Sequence, residues 1–105
     1  QKVNKLESYG VKDIILDPGF GFGKTIDHNY KLLRNLKVFS FLYKPILVGL
    51  SRKSMIYKVL NIKPEDALTG TAVLNIIALL NGANILRVHD VKEARQVIEL
   101  YRRIL

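Results

Sequence analysis

Three short stretches carry residue types that could do chemistry: Asp17-Pro18-Gly19-Phe20-Gly21-Phe22-Gly23-Lys24-Thr25, Ser51-Arg52-Lys53-Ser54, and Arg87-Val88-His89. The first has the look of a nucleotide-phosphate loop, but its spacing does not fit. A P-loop places a glycine five residues before the glycine of its Gly-Lys-Thr, so that successive amides wrap the phosphates. Here that position is Pro18, which has no amide hydrogen. The dinucleotide pattern G-x-G-x-x-G fails as well, because Lys24 and Ile26 stand where its last glycine would be.

Asp17 is open to two readings. Asp-Pro-Gly is good turn chemistry, and a carboxylate at a strand tip is also suited to accept a pair of N–H donors from a heterocycle. Arg52 and Lys53 stand where a helix begins, and cations there oppose the helix dipole. Either their long side chains bend into solvent, or an anionic or electron-rich ligand offsets the cost. Ser51 and Ser54 read as N-caps or, at a helix start with free amides, as a carboxylate site. Arg87 and His89, two apart in a strand, point to one face and could form a phosphate or diphosphate pocket. His28 reads as a surface residue. Phe20 and Phe22 are core residues by default, yet rings flanked by glycines could also cover an aromatic substrate.

The elements that position these groups follow from the apolar pattern. Runs at 13–16, 45–49 and 84–88 read as strands, each followed by a helical stretch: from Thr25 or Asp27 to about Phe39, around 53–60 and from Pro64 to about Asn81, and from Asp90 to the end. Pro64 and Gly82 punctuate the long helix, and Asp90 with Glu93 resembles a capping box. Continuous apolar strands joined by long crossovers imply parallel strands buried on both faces. The expected fold class is therefore α/β, a parallel βαβαβα piece. In such folds ligands collect at the carboxyl ends of the strands, where all three motifs fall. The helix over 64–81 is apolar nearly all round, which asks for burial by its own domain or by a second subunit, with Gly70, Thr71 and Ala72 allowing close approach.

The 105 residues suffice for one small domain, and 49% hydrophobic with 25% charged residues is ordinary globular composition. There is no cysteine, which removes disulfides and thiolate chemistry and fits a cytoplasmic location. The net charge of +8 is scattered rather than clustered, which favours an ordinary charged surface over nucleic-acid binding and is compatible with an anionic small-molecule substrate. No apolar stretch is long enough for a membrane span. The opening QKVNKLESYG reads as the last turns of a helix capped by Gly10, so the chain is expected to begin partway through something larger.

Together, DPGFGFGKT…N, LVGLSRKSMI and ILRVHDV resemble the dihydropteroate synthase family in order, spacing and placement. The resemblance implies a pterin-and-aminobenzoate loop rather than a nucleotide loop. It implies an enzyme that joins 4-aminobenzoate to 6-hydroxymethyl-7,8-dihydropterin diphosphate, releasing pyrophosphate. By the same resemblance Asp17 is the pterin-binding carboxylate, and Lys53 contacts the pterin while its stem lines the aminobenzoate pocket. Arg87 lies against the pterin ring and, with His89, binds the diphosphate. Phe22 stands beside the aminobenzoate in the loop that includes Gly21, and Ser54 meets its carboxylate. Lys53, Arg87 and His89 are thus the catalytic set, Mg2+ the implied cofactor, and a homodimer through the last three helices the implied assembly. The family fold is a (β/α)8 TIM barrel of about 250 residues. Residues 1–105 are accordingly expected to be the C-terminal part of one pterin-binding barrel domain, strands 6–8, inactive alone. Two other readings compete: a corrinoid-type methyltransferase domain, against which the Ser-Arg-Lys and Arg-x-His motifs argue, and a non-catalytic dimerisation fragment.

Overall fold

A computed structural model describes residues 15–21 and 24–105. The expected helix end and Gly10 cap, the start of the first strand, and Phe22 and Gly23 lie outside the described residues.

The central strand is β1 (Leu47–Val48), and it pairs in parallel with β2 (Ile85–Leu86), Leu47 opposite Ile85 and Val48 opposite Leu86. On its other side Leu16 forms a parallel bridge to Ile46. The amide of Leu47 donates to Leu16 O at 2.8 Å, and that of Arg87 to Val48 O at 2.9 Å. The three chain segments therefore run side by side with their carboxyl ends together, the α/β arrangement with parallel strands that the pattern implies.

The described residues include four α-helices, in chain order α1 (Ile26–Arg34), α2 (Ser54–Leu60), α3 (Leu68–Leu80) and α4 (Val91–Ile104). Thr25 caps α1 through its side chain, which accepts from the His28 amide. The expected helix to Phe39 instead changes at Asn35 into a 3-10 segment, Leu36–Leu42, closed by Tyr43 in the left-handed region. Pro64 opens a separate 3-10 turn, Pro64–Asp66, before α3 begins at Leu68. Asp90 is the N-cap of α4 but makes no side-chain capping bond. The capping box is not formed, because Arg52 holds the Asp90 carboxylate.

One hydrophobic core lies between the sheet and the helices. It is built from Ile46, Val48 and Leu50 of the central strand region with Phe20, Leu33, Leu36, Met55, Ile56, Leu74 and Ala78. Period-two burial at 46, 48 and 50 turns one sheet face to the helices. On the opposite face Ile15 and Ile85 are exposed, so among the described residues the helices cover one side where the apolar runs imply two. Side-chain ties reinforce the helix layer: the Tyr30 hydroxyl donates to Met55 O at 2.6 Å, and Asn81 Nδ2 to Leu33 O at 3.0 Å.

The α3 helix divides the burial question. Thr71, Leu74, Asn75, Ala78 and Leu79 are buried within the chain, while Val73 and Leu80 are exposed. Gly70 serves α2 of the same chain: a methyl group there would stand 2.5 Å from Ile56 Cγ2. No helix among the described residues is long and apolar enough to cross a membrane.

Candidate functional site

The parallel register brings the ends of the three strand segments to one rim, and the loops leaving that rim carry the chemistry. From the bridge at Leu16 the chain enters Asp17-Pro18-Gly19, where Asp17 Oδ1 accepts the Gly19 amide at 3.0 Å. This is the turn chemistry expected of the motif. Asp17 Oδ2 accepts from Arg87 Nη1 at 3.2 Å, joining residues 70 apart. One oxygen of Asp17 thus shapes the turn, and the other faces a cation. The pair is open to solvent, with side-chain exposures of 52% and 39%. Exposed pairs contribute about 0–1 kcal/mol, so a ligand can separate this one at little cost.

Arg87 reaches Asp17 by lying flat across the end of β1. A Cβ at Gly49 would stand 2.7 Å from Arg87 Nη2, 3.0 Å from Nε and 3.1 Å from Cζ. Only a residue without a side chain lets the guanidinium settle there. Gly49 is therefore the platform of the site, a role its place at the end of an apolar run did not signal.

Lys53 enters from the other side. Its Nζ donates to Phe20 O at 2.7 Å, and its stem passes beneath Gly21, whose Cβ position would be 3.5 Å from Lys53 Cδ. Gly21 has φ +91°, in the left-handed region where a side chain is strained. Burial of the Lys53 ammonium lowers its pKa below the ordinary 10.5; Arg87 adds to the effect and Asp17 opposes it. Lys53, Arg87 and Asp17 thus sense one another across three separate loops. That makes a compact cationic rim that includes the Asp17 carboxylate, suited to a ligand with an anionic tail and a heterocycle bearing N–H donors.

The glycine loop is pinned by a residue outside the predicted set. Asn29, buried on α1, accepts the Gly21 amide through Oδ1 at 2.9 Å. A polar residue three positions after Ile26, inside an otherwise apolar stripe, was the available signal. Phe20 is fully buried and belongs to the core. Phe22 lies outside the described residues.

The remaining candidates flank this group. Ser54 is the first residue of α2 and half-buried, with Lys53 rather than a serine as the N-cap. Ser51 is likewise not a cap: its Oγ accepts the His89 amide at 3.2 Å. His89 is exposed at the same rim, two residues beyond Arg87. Arg52, read as a cation facing ligand or solvent, instead pairs with Asp90, Nε to Oδ2 and Nη2 to Oδ1 both at 3.0 Å. His28 is exposed on α1, as expected.

Known proteins share this chain's sequence pattern and fold. The family model for pterin binding enzymes matches residues 1–89. The dihydropteroate synthase of Escherichia coli is 46% identical over 104 residues, covering 94% of this chain and 37% of that protein. The crystal structure of the Yersinia pestis dihydropteroate synthase superposes with a TM-score of 0.92 at 39% identity, covering 97% of this chain and 43% of that one. A Thermus thermophilus dihydropteroate synthase solved in complex with 6HMPPP superposes at 0.89 with 39% identity, over 95% of this chain and 40% of its own. The chain thus spans about 37% of the length of the E. coli relative.

Proposed function

The chain belongs to the pterin binding enzyme family, among the dihydropteroate synthases, and from that membership we propose that it forms part of a working synthase site. The reaction is condensation of 6-hydroxymethyl-7,8-dihydropterin diphosphate with 4-aminobenzoate. The observation that carries the proposal is the convergence of Asp17, Lys53 and Arg87, with Arg87 bridging to Asp17 at 3.2 Å across the strand ends. A corrinoid-type methyl carrier has no diphosphate to expel and no use for such a cationic rim.

In this reading the pterin's N–H donors take the Asp17 oxygen that Arg87 occupies here, and the Arg87 plane rests against the pterin ring over Gly49. Lys53 contacts the pterin, and its stem beside Gly21 forms one wall for the aminobenzoate. Phe22 supplies a second wall, and Ser54 meets the carboxylate. Arg87 and His89 hold the diphosphate. The bond between the pterin methylene carbon and the diphosphate oxygen breaks, and its electron pair leaves on that oxygen. The aniline nitrogen then donates its lone pair to the methylene carbon and releases a proton to solvent. Cations placed where negative charge develops lower the barrier without a covalent intermediate.

Mg2+ belongs to the family expectation, but the described residues include no group of three or more His, Cys, Asp or Glu able to hold a metal ion. These residues by themselves do not make a metal site. The uncovered sheet face at Ile15 and Ile85 supports reading the chain as strands 6–8 of a (β/α)8 barrel whose other strands close over it. Exposed Val73 and Leu80 on α3 and Leu100 and Ile104 on α4 support a homodimer through these helices. A cytoplasmic location completes the reading.

The test is pyrophosphate release by the full-length enzyme carrying this segment, with the isolated 105-residue chain measured alongside. Release that requires aminobenzoate and is lost in Lys53→Ala is expected for the intact enzyme and not for the isolated chain. An intact enzyme that releases no pyrophosphate would overturn the assignment.

A further inference from the structure

Two consecutive residues after β1 are bonded to two consecutive residues after β2. Ser51 Oγ accepts the His89 amide at 3.2 Å, and Arg52 grips the Asp90 carboxylate with two parallel bonds of 3.0 Å. The third guanidinium nitrogen of Arg52 is also used: Nη1 donates to Glu65 O at 2.6 Å and Pro64 O at 3.1 Å. The backbone of Arg52 is held as well, its amide donating to Thr71 Oγ1 at 3.1 Å, while that hydroxyl donates to Ala67 O at 2.6 Å. Arg52 has φ 53°, a left-handed conformation uncommon for a residue with a side chain. Such a conformation persists where surrounding bonds over-determine it.

This network stands directly behind the cationic rim. Lys53 follows Arg52, and Arg87 and His89 precede Asp90. The last backbone bond between the two segments among the described residues is that from the Arg87 amide to Val48 O, so beyond Val48 and Arg87 the ladder does not fix the separation of the two loops. We infer that Ser51-Arg52 and His89-Asp90 form a latch that sets the position of Lys53 relative to Arg87 and His89, making Arg52 a positioning residue that touches no substrate. A planar five-donor fork is needed for this, since one ammonium cannot hold a carboxylate edge-on and two carbonyls together.

The turnover readout rests on the synthase reading, so the experiment pairs it with one that does not. In the full-length enzyme, Arg52→Lys is compared with wild type for kcat per folded protein, melting midpoint and hydrogen exchange of the His89 amide. Misplacing catalytic groups by an ångström can cost about a hundredfold, so kcat is expected to fall by that order in protein that remains folded. The His89 amide, released from Ser51 as the loops part, should exchange about tenfold faster. A lowered melting midpoint with unchanged kcat and unchanged His89 exchange would make Arg52 merely structural and overturn the latch. Unchanged exchange overturns it whatever happens to kcat. If Arg52→Lys does not fold, Asp90→Asn, which keeps the shape and removes the charge, is read in the same way. A wild-type enzyme without turnover would refute the synthase reading instead, and His89 exchange would still decide the latch.

Discussion

Replacing Gly49 with alanine separates the site from the fold. Gly49 has a φ outside the left-handed range, so the backbone accepts a side chain. The added methyl would meet Arg87 Nη2 at 2.7 Å. The contacted atoms are the end of a flexible, half-exposed side chain, so Arg87 yields, retreating by roughly 0.7 Å to reach ordinary contact. The stability terms nearly cancel. Losing the exposed pair with Asp17 costs about 0–1 kcal/mol, and reduced freedom of the unfolded chain returns about 0.4–1 kcal/mol. Turnover has no such compensation. A guanidinium displaced on this scale from ring and diphosphate should cost about a hundredfold, equivalent to about 2.7 kcal/mol of transition-state stabilisation. The assay is kcat and melting midpoint of the full-length enzyme with and without Gly49→Ala. Turnover within about threefold of wild type, roughly 0.65 kcal/mol, would refute the claim that contact with the Gly49 backbone positions Arg87.

Gly70→Ala should behave in the opposite way. The methyl would stand 2.5 Å from Cγ2 of buried Ile56, which cannot swing aside. Overpacking of about 1–3 kcal/mol exceeds the helix-propensity gain of about 1 kcal/mol. The melting midpoint should fall while kcat per folded protein holds; a raised midpoint would contradict the packing. Because burial and Arg87 lower the Lys53 pKa while Asp17 raises it, the alkaline limb of the turnover profile should lie below 10.5 if the ammonium is needed. It should move to lower pH in Asp17→Asn, since the neutral amide no longer favours the charged form, and a shift to higher pH would contradict the arrangement. His89→Ala should weaken binding of the pterin diphosphate by about tenfold, the worth of a charge-assisted bond, and binding of the bare hydroxymethyl pterin much less. Calorimetry showing equal loss for both ligands would contradict a diphosphate role.

Local chemistry alone determined much of this protein. Apolar runs bounded by Asp-Pro-Gly, Ser-Arg-Lys and Arg-Val-His placed the parallel strand segments and the polar loops at their carboxyl ends, because burial and turn preferences act within a few residues. Helix starts at Thr25 and after Lys53 were legible for the same reason. Helix interiors were less so: the break at Asn35 and the separate Pro64–Asp66 turn are settled by how the segments pack. Tertiary structure alone decided which charge meets which. Asp90 looked like a cap by its spacing to Glu93, but a guanidinium 38 residues away made a better partner than local amides. Arg52 and Lys53, adjacent and alike in charge, were sent to different tasks by a left-handed backbone at Arg52. Gly49 showed nothing in its neighbours, because what it accommodates is Arg87 from the next strand. Periodicity reports what a residue does along its own segment; the pairing of distant side chains depends on strand register, which exists only once the chain has folded.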